Sequence, residues 1–160
     1  MCELPDFLPP ILVVDGIWEE RLVELYEIFK RDFVYNACYY EGRKITFKRT
    51  STINEKEDGF WHLISYENKV EGRIPDFKRA KRLSWVKAVI ENHGHSEIKD
   101  FDYLEATEDV RKYLWLENHD FVVILEEYRN RQRFFLVTAF HVSGRYKRKD
   151  LEKKYEKRII

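Results

Sequence analysis

Two cysteines in 160 residues, Cys2 and Cys38, are too few and too isolated for a disulfide framework or a cysteine-built zinc site. Other absences narrow the field further. No glycine-rich dinucleotide or P-loop motif is present, and no paired-histidine zinc-protease, serine nucleophile-elbow or CxxC motif, so those chemistries have no support. No apolar run reaches the ~18 residues of a membrane span. The start, Met1-Cys2-Glu3-Leu4-Pro5-Asp6, lacks the basic and apolar regions of a signal peptide. The simplest expectation is a cytoplasmic protein with no membrane partner. Internal repeats and low-complexity tracts are missing, and the length suits a single domain over 1–160, with residues 1–16 as a lead-in.

What the chain does have is aromatic bulk and segregated charge. Aromatic residues make up 16% of it, enough for a real core. The net charge of zero conceals four blocks: −5 over residues 1–35, +5 over 73–87, −7 over 97–128 and +5 over 143–158. Local basic surfaces on a neutral chain suit an anionic ligand. Pairing of the blocks with one another, or plain solvation, explains the same segregation.

Periodicity predicts an α+β fold: an N-terminal helix packed on a mostly antiparallel sheet, with a short basic helix mid-chain and a basic helix at the C-terminus. Trp18, Leu22, Leu25, Tyr26, Phe29 and Phe33 form one apolar stripe of a helix over 17–34. Ile11–Val14 reads as a short strand, Glu41-Gly42 as a turn and Lys44–Lys48 as a strand. Phe60–Ile64 suits a short strand or an irregular apolar segment. Pro75 and Asp76 open a helix running to about Leu83, with proline in its first turn. Trp85–Ile90 continues it or bends into an extended piece. Strands follow at Ile98–Tyr103, Arg111–Leu116, Phe121–Tyr128 and Phe134–Val142, the last two joined by Asn130-Arg131-Gln132 as a hairpin. Lys147–Lys157 is the final helix, anchored by Leu151 and Tyr155.

Candidate chemistry lies in histidines, the basic helix and polar residues within strands. His62, in "DGFWHLISYE", follows an apolar pair and reads either as a core imidazole bonded to a carbonyl or as a general acid or base. His93 and His95 share a loop and lack evident partner ligands, so no metal site is assigned. His119 sits in a turn. In "PDFKRAKRL", Lys78, Arg79 and Arg82 share adjoining helix surface, and guanidinium forks match phosphate oxygens, so these residues with Arg73 form either a phosphate clamp or an ordinary solvated face. In "FFLVTAFHV", strand alternation sends Thr138 and His141 to opposite faces unless the strand bulges. Thr138 groups with Phe134, Leu136, Phe140 and Val142, and His141 with Phe135, Val137 and Ala139. Glu127 and Arg129 offer an acid and a cation beside this hairpin.

The stretches "RIPDFKRAKRLSWVKAVIEN", "HDFVVILEEYRNRQRFFLVTAFHV" and "YKRKDLEKKYEKR" resemble phage and mobile-element members of the barnase/EndoU/colicin/RelE-like ribonuclease superfamily, over roughly residues 60–158. His62, Arg79, Arg82 and Thr138-Ala139-Phe140 stand where that family carries its histidine, its basic segment and its late-strand signature. The resemblance implies a toxin-like, metal-independent endoribonuclease needing no cofactor. A base takes the ribose 2′-OH proton, the oxygen attacks phosphorus, an acid protonates the leaving oxygen, and cations stabilise the transition state. His62 would be the acid or base, Arg79 and Arg82 with Arg73 or Lys78 the clamps, Thr138 an orienting hydroxyl and Glu127 a partner base. Trp61 and Trp85 would stack on bases. The implied partners are RNA and a cognate inhibitor or antitoxin protein. The alternatives are a non-catalytic nucleic-acid-binding module and a protein-interaction domain on the same scaffold.

Overall fold

The computed structural model describes residues 3–49, 52–53, 55–127 and 132–160. Helix α1 spans Trp18–Phe33, with Glu19 and Glu20 in its first turn and Lys30 and Arg31 in its last, as the helix dipole favours. A two-residue hairpin follows: β1 (Tyr39–Tyr40) and β2 (Arg43–Thr46) pair antiparallel around Glu41-Gly42. Both turn residues have positive φ, 49° and 76°, as a tight hairpin turn of this length demands. Strands β3 (Thr52–Ile53) and β4 (Lys56–Glu57) form a second small hairpin. Then come helix α2 (Asp58–Ile64), the hairpin β5 (Ser65–Asn68) and β6 (Gly72–Pro75), helix α3 (Phe77–Lys81) and helix α4 (Leu83–Glu91). Strands β7 (Ile98–Leu104), β8 (Val110–Leu116), β9 (Phe121–Glu127) and β10 (Arg133–His141) precede helix α5 (Arg145–Glu156).

The main sheet has the order β1-β2-β10-β9-β8-β7 and is antiparallel except where β2 runs parallel to β10. It is curled: Tyr40, on one edge strand, donates its hydroxyl at 2.7 Å to Asp100 on the other. The concave face is filled by α4, and α1 packs on α4 from outside. Phe29, Phe33, Phe47, Phe60, Trp85 and Phe121 dominate this core. The convex face is covered by α5, whose Leu151 and Tyr155 sit on Phe101, Tyr113 and Trp115. Among the described residues no helix is long and apolar enough to cross a membrane.

Three local expectations change, and one left open, Trp85–Ile90, resolves as helix. Phe60–Ile64 is helical, because its apolar residues must meet the core on several sides and only His62 of the five stays partly open. Trp85–Ile90 is helix throughout, buried at Trp85, Val86, Val89 and Ile90. Pro75 ends β6 and lies outside the helix; Asp76 is the N-cap and accepts from the Arg79 amide at 3.1 Å. Ile11–Val14 joins no strand; Leu12 instead donates its amide to the Lys81 carbonyl at 2.9 Å. Asn130-Arg131 and Arg129 lie outside the described residues, as does Cys2.

The core tolerates no side chain at Gly59. A Cβ there would stand 2.7 Å from the Phe47 Cβ, inside contact distance. Alanine would gain ~0.5–1 kcal/mol of helix preference over glycine, but overpacking costs about 1–3 kcal/mol. Gly59→Ala should therefore lower the urea midpoint without changing the slope, and an unchanged or raised midpoint would contradict this packing.

Candidate functional site

The C-terminal end of α2 leaves carbonyl oxygens without helical partners, and two arginines take them up. Arg79 donates Nη1 to the carbonyls of His62 (2.9 Å) and Ser65 (3.2 Å), and its Nε lies 3.1 Å from Asp76 Oδ2. Arg73 donates Nη1 to the Ser65 carbonyl and Oγ, both at 3.2 Å. Ser65 is itself buried and donates its hydroxyl to the Trp61 carbonyl at 2.5 Å. A second nitrogen of Arg73 lies 3.3 Å from His62 Nδ1. Since a guanidinium only donates, Nδ1 is the acceptor and the neutral ring carries its proton on Nε2. Burial first, and then the Arg73 charge, lower the His62 pKa below its ordinary value, so the ring stays neutral near pH 7. In this orientation His62 offers a hydrogen-bond donor, and its lone pair is already engaged.

Arg79 continues across the β10 edge. Its guanidinium carbon lies 5.6 Å from the Phe140 ring centroid, and Lys147 from α5 lies 5.4 Å from the same ring. A pocket of ≈ 270 Å³ opens there, with Phe140 and Ile124 on the sheet side and Lys147, Leu151 and Lys154 on the helix side. Lys154 is spent on the Tyr113 hydroxyl (2.9 Å), Glu105 and Asp150, and Tyr113 in turn donates to Glu105.

The other flank of α3 carries a second group. Arg82 donates to the Lys78 carbonyl at 3.0 Å and lies 5.3 Å from the Trp85 ring. Lys78 donates to Ser143 Oγ at 3.4 Å, and that oxygen is 2.7 Å from His141 Nδ1. The His141 pKa is lowered by burial and then by Arg82 and Lys78.

Ion pairs among the described residues take up few of the cations in either basic block. Helix α5 answers the acidic 97–128 block through Arg148 with Asp120 and Glu117, and Lys154 with Glu105. Within residues 73–87 the one ion pair among the described residues is Arg79 with Asp76, inside the block itself. Arg73, Lys78, Arg82 and Lys147 form no ion pair with any described residue.

The sequence-predicted residues divide accordingly. His62, Arg73 and Arg79 come together, while Lys78 and Arg82 face His141 and Ser143, so Arg79 and Arg82 form no single two-armed clamp. Thr138 is paired with Ile124, beside the pocket. The β10 ladder shifts register between Leu136 and Thr138, a bulge at Val137 that sends Thr138 to the α5 side with Phe140 and Val142 and leaves Phe134 and Leu136 on the other. The bulge precedes both Thr138 and His141, which therefore still face opposite ways. Glu127 lies five residues along β9 from the partner of Phe140, about 17 Å away, and pairs with Arg43 at 2.8 Å. It stands at the opposite end of β9 from the Phe140 platform. Trp61 (7% exposed) and Trp85 (1%) are core residues that no base can reach, and the Trp85 indole is bonded to the Pro9 carbonyl. Ser143 and Lys147 are neighbours of the site that sequence reasoning missed, and His141 was weighed there but given no role. Lys147 carried a signal in the basic 143–158 block; the other two gained their meaning only from α3 packing.

Comparison of the chain with family models, with curated proteins and with solved structures finds no match.

The depressed imidazole pKa values have a consequence for stability. A base whose folded pKa lies below its unfolded value of about 6.5 binds fewer protons when folded. Its contribution is complete above that pH and is lost as pH falls from there through the folded value. Urea midpoints measured between about pH 7.5 and about pH 5 should fall less steeply in a His62→Gln, His141→Gln double variant than in the parent. Parallel curves would contradict the buried, cation-flanked placement.

Proposed function

We propose that the protein binds RNA, holding consecutive phosphates along the surface formed by β6, α3 and the start of α5. The observation that carries the reading is the gathering of Arg73, Lys78, Arg82 and Lys147 around α3 and Phe140, none of which forms an ion pair with a described carboxylate. Guanidinium and ammonium groups at this density favour a polyanion. The half-buried Phe140, flanked by Arg79 and Lys147, gives the surface an apolar platform beside its charges. The ribonuclease resemblance supports RNA as the polyanion, and the cytoplasm as the place where it is met.

Metal-independent cleavage on the same surface is the second reading. It is favoured by two imidazoles, His62 and His141, on opposite flanks of the cation row, as acid–base catalysis of 2′-OH attack requires. In that reading Thr138 orients substrate beside the pocket, and an inhibitor protein would cover the same cations.

Binding of a short single-stranded RNA, followed by fluorescence anisotropy in EDTA, should weaken with salt. Each phosphate contact on a single strand adds about −0.7 to the log–log slope, so four contacts give about −3. Arg73→Ala and Lys147→Ala should each weaken binding and flatten the slope by about 0.7. Salt-independent binding, or wild-type affinity in both variants, overturns the reading. Cleavage in the same EDTA reactions, lost in His62→Ala and His141→Ala, supports the enzyme; tight binding without cleavage leaves a binding module.

A further inference from the structure

The closure of the curled sheet brings together three groups that sequence spacing separates widely. Glu41 in the β1–β2 turn, His93 just after α4 and Asp100 on β7 each present a ligand atom, and the three atoms lie within 4.8 Å of one another. His95, the sequence neighbour that suggested a metal pair with His93, turns away and packs on Phe7 at 4.7 Å. The geometry points to a zinc-class divalent cation site at Glu41, His93 and Asp100, tying the two edges of the sheet to the end of α4.

The imidazole is prepared for this role. His93 Nδ1 lies 3.1 Å from the Ile90 carbonyl. A carbonyl only accepts, so Nδ1 carries the proton and Nε2 keeps its lone pair outward, the tautomer that a metal-ligating histidine adopts. The ring is also fixed by packing on Tyr40, 4.3 Å between centroids. Asp100 is held in turn: Tyr40 donates to Oδ2 at 2.7 Å, a supporting contact of the kind that orients ligating carboxylates. Its Oδ1 is 3.6 Å from Lys112, which lies closer to Asp102 at 2.7 Å and can leave Asp100 without losing its ion pair. An imidazole and two carboxylates suit zinc by donor type and balance its charge, and three protein ligands leave a fourth position for water. Tetrahedral ligands at about 2.0–2.1 Å stand about 3.4 Å apart, so the side chains must close by up to about 1.4 Å. Glu41, exposed in its turn, has the freedom to supply that closure, while Asp100 is already held in place by Tyr40.

The test uses the full chain, stripped with EDTA, exchanged into chelator-free buffer and titrated with zinc chloride against a chromophoric chelator. One equivalent should bind, with a rise in melting temperature. His93→Gln and Glu41→Gln should each lower affinity at least tenfold, and His95→Gln should leave it unchanged. Glu41 is exposed in a turn, so its variant tests the site even if His93→Gln disturbs packing on Tyr40. Cobalt in place of zinc should give a visible absorption band that disappears in both variants. Absence of a saturable first equivalent, or wild-type affinity in Glu41→Gln, overturns the proposal.

Discussion

One guanidinium organises the half of the molecule that carries its candidate chemistry. Arg79 caps the end of α2 through two carbonyls, is oriented by the Asp76 that also caps α3, and lies over Phe140 on the far side of β10. Strand β2 pairs β10 only over Arg133–Phe135, so the rest of that edge is covered by α2 and α3. The arginine that joins these helices is therefore also what seals the sheet. Arg79 is half-buried, with Nη1 bound to two carbonyls and Nε beside Asp76. Its neighbours form one cluster with it: Arg73 meets the His62 ring, whose carbonyl Arg79 holds, and Lys147 shares the Phe140 ring on which Arg79 lies.

The same logic separates structural charge from available charge. Positive residues occur in two blocks of equal net charge, yet they differ in what surrounds them. Helix α5 lies on the convex face beside the acidic segment, and its Arg148 and Lys154 are consumed there. The 73–87 block packs against the mostly apolar β10; its one ion pair among the described residues is Arg79 with its own Asp76, and Asp120 acts on Arg82 from outside. Lys147 of α5 forms no ion pair with a described residue and shares the Phe140 ring with Arg79 of the first block.

Long apolar strands were legible because their length and β-branched content leave few alternatives; β7, β8, β9 and β10 lie within a residue or two of where periodicity puts them. Short polar hairpins were not: β3–β4 and β5–β6 alternate too briefly to stand out from loop. Phe60–Ile64 was ambiguous because four apolar residues in five fit any buried element, and only three-dimensional packing, with Gly59 pressed on Phe47, selects helix. Among site residues, His62, Arg73 and Arg79 could be picked out by type and position, but their meeting depends on the β5–β6 hairpin returning Arg73 to Ser65. The faces of β10 were half read, since a one-residue bulge at Val137 leaves no mark in the pattern. Trp61 and Trp85 were misassigned because an aromatic beside polar residues says nothing about which way it points.

The central claim is that ligand is met by the β6–α3 surface and the start of α5, with Arg79 fixed beneath. Amide and side-chain NMR of the labelled protein, titrated with a short single-stranded RNA, tests it most directly. The account predicts shifts confined to α2, β6, α3 and residues 140–148, strongest at the Arg73, Lys78, Arg82 and Lys147 side chains, with the Arg79 side chain moving little. Shifts centred on other surfaces, or none at saturating RNA, would contradict it.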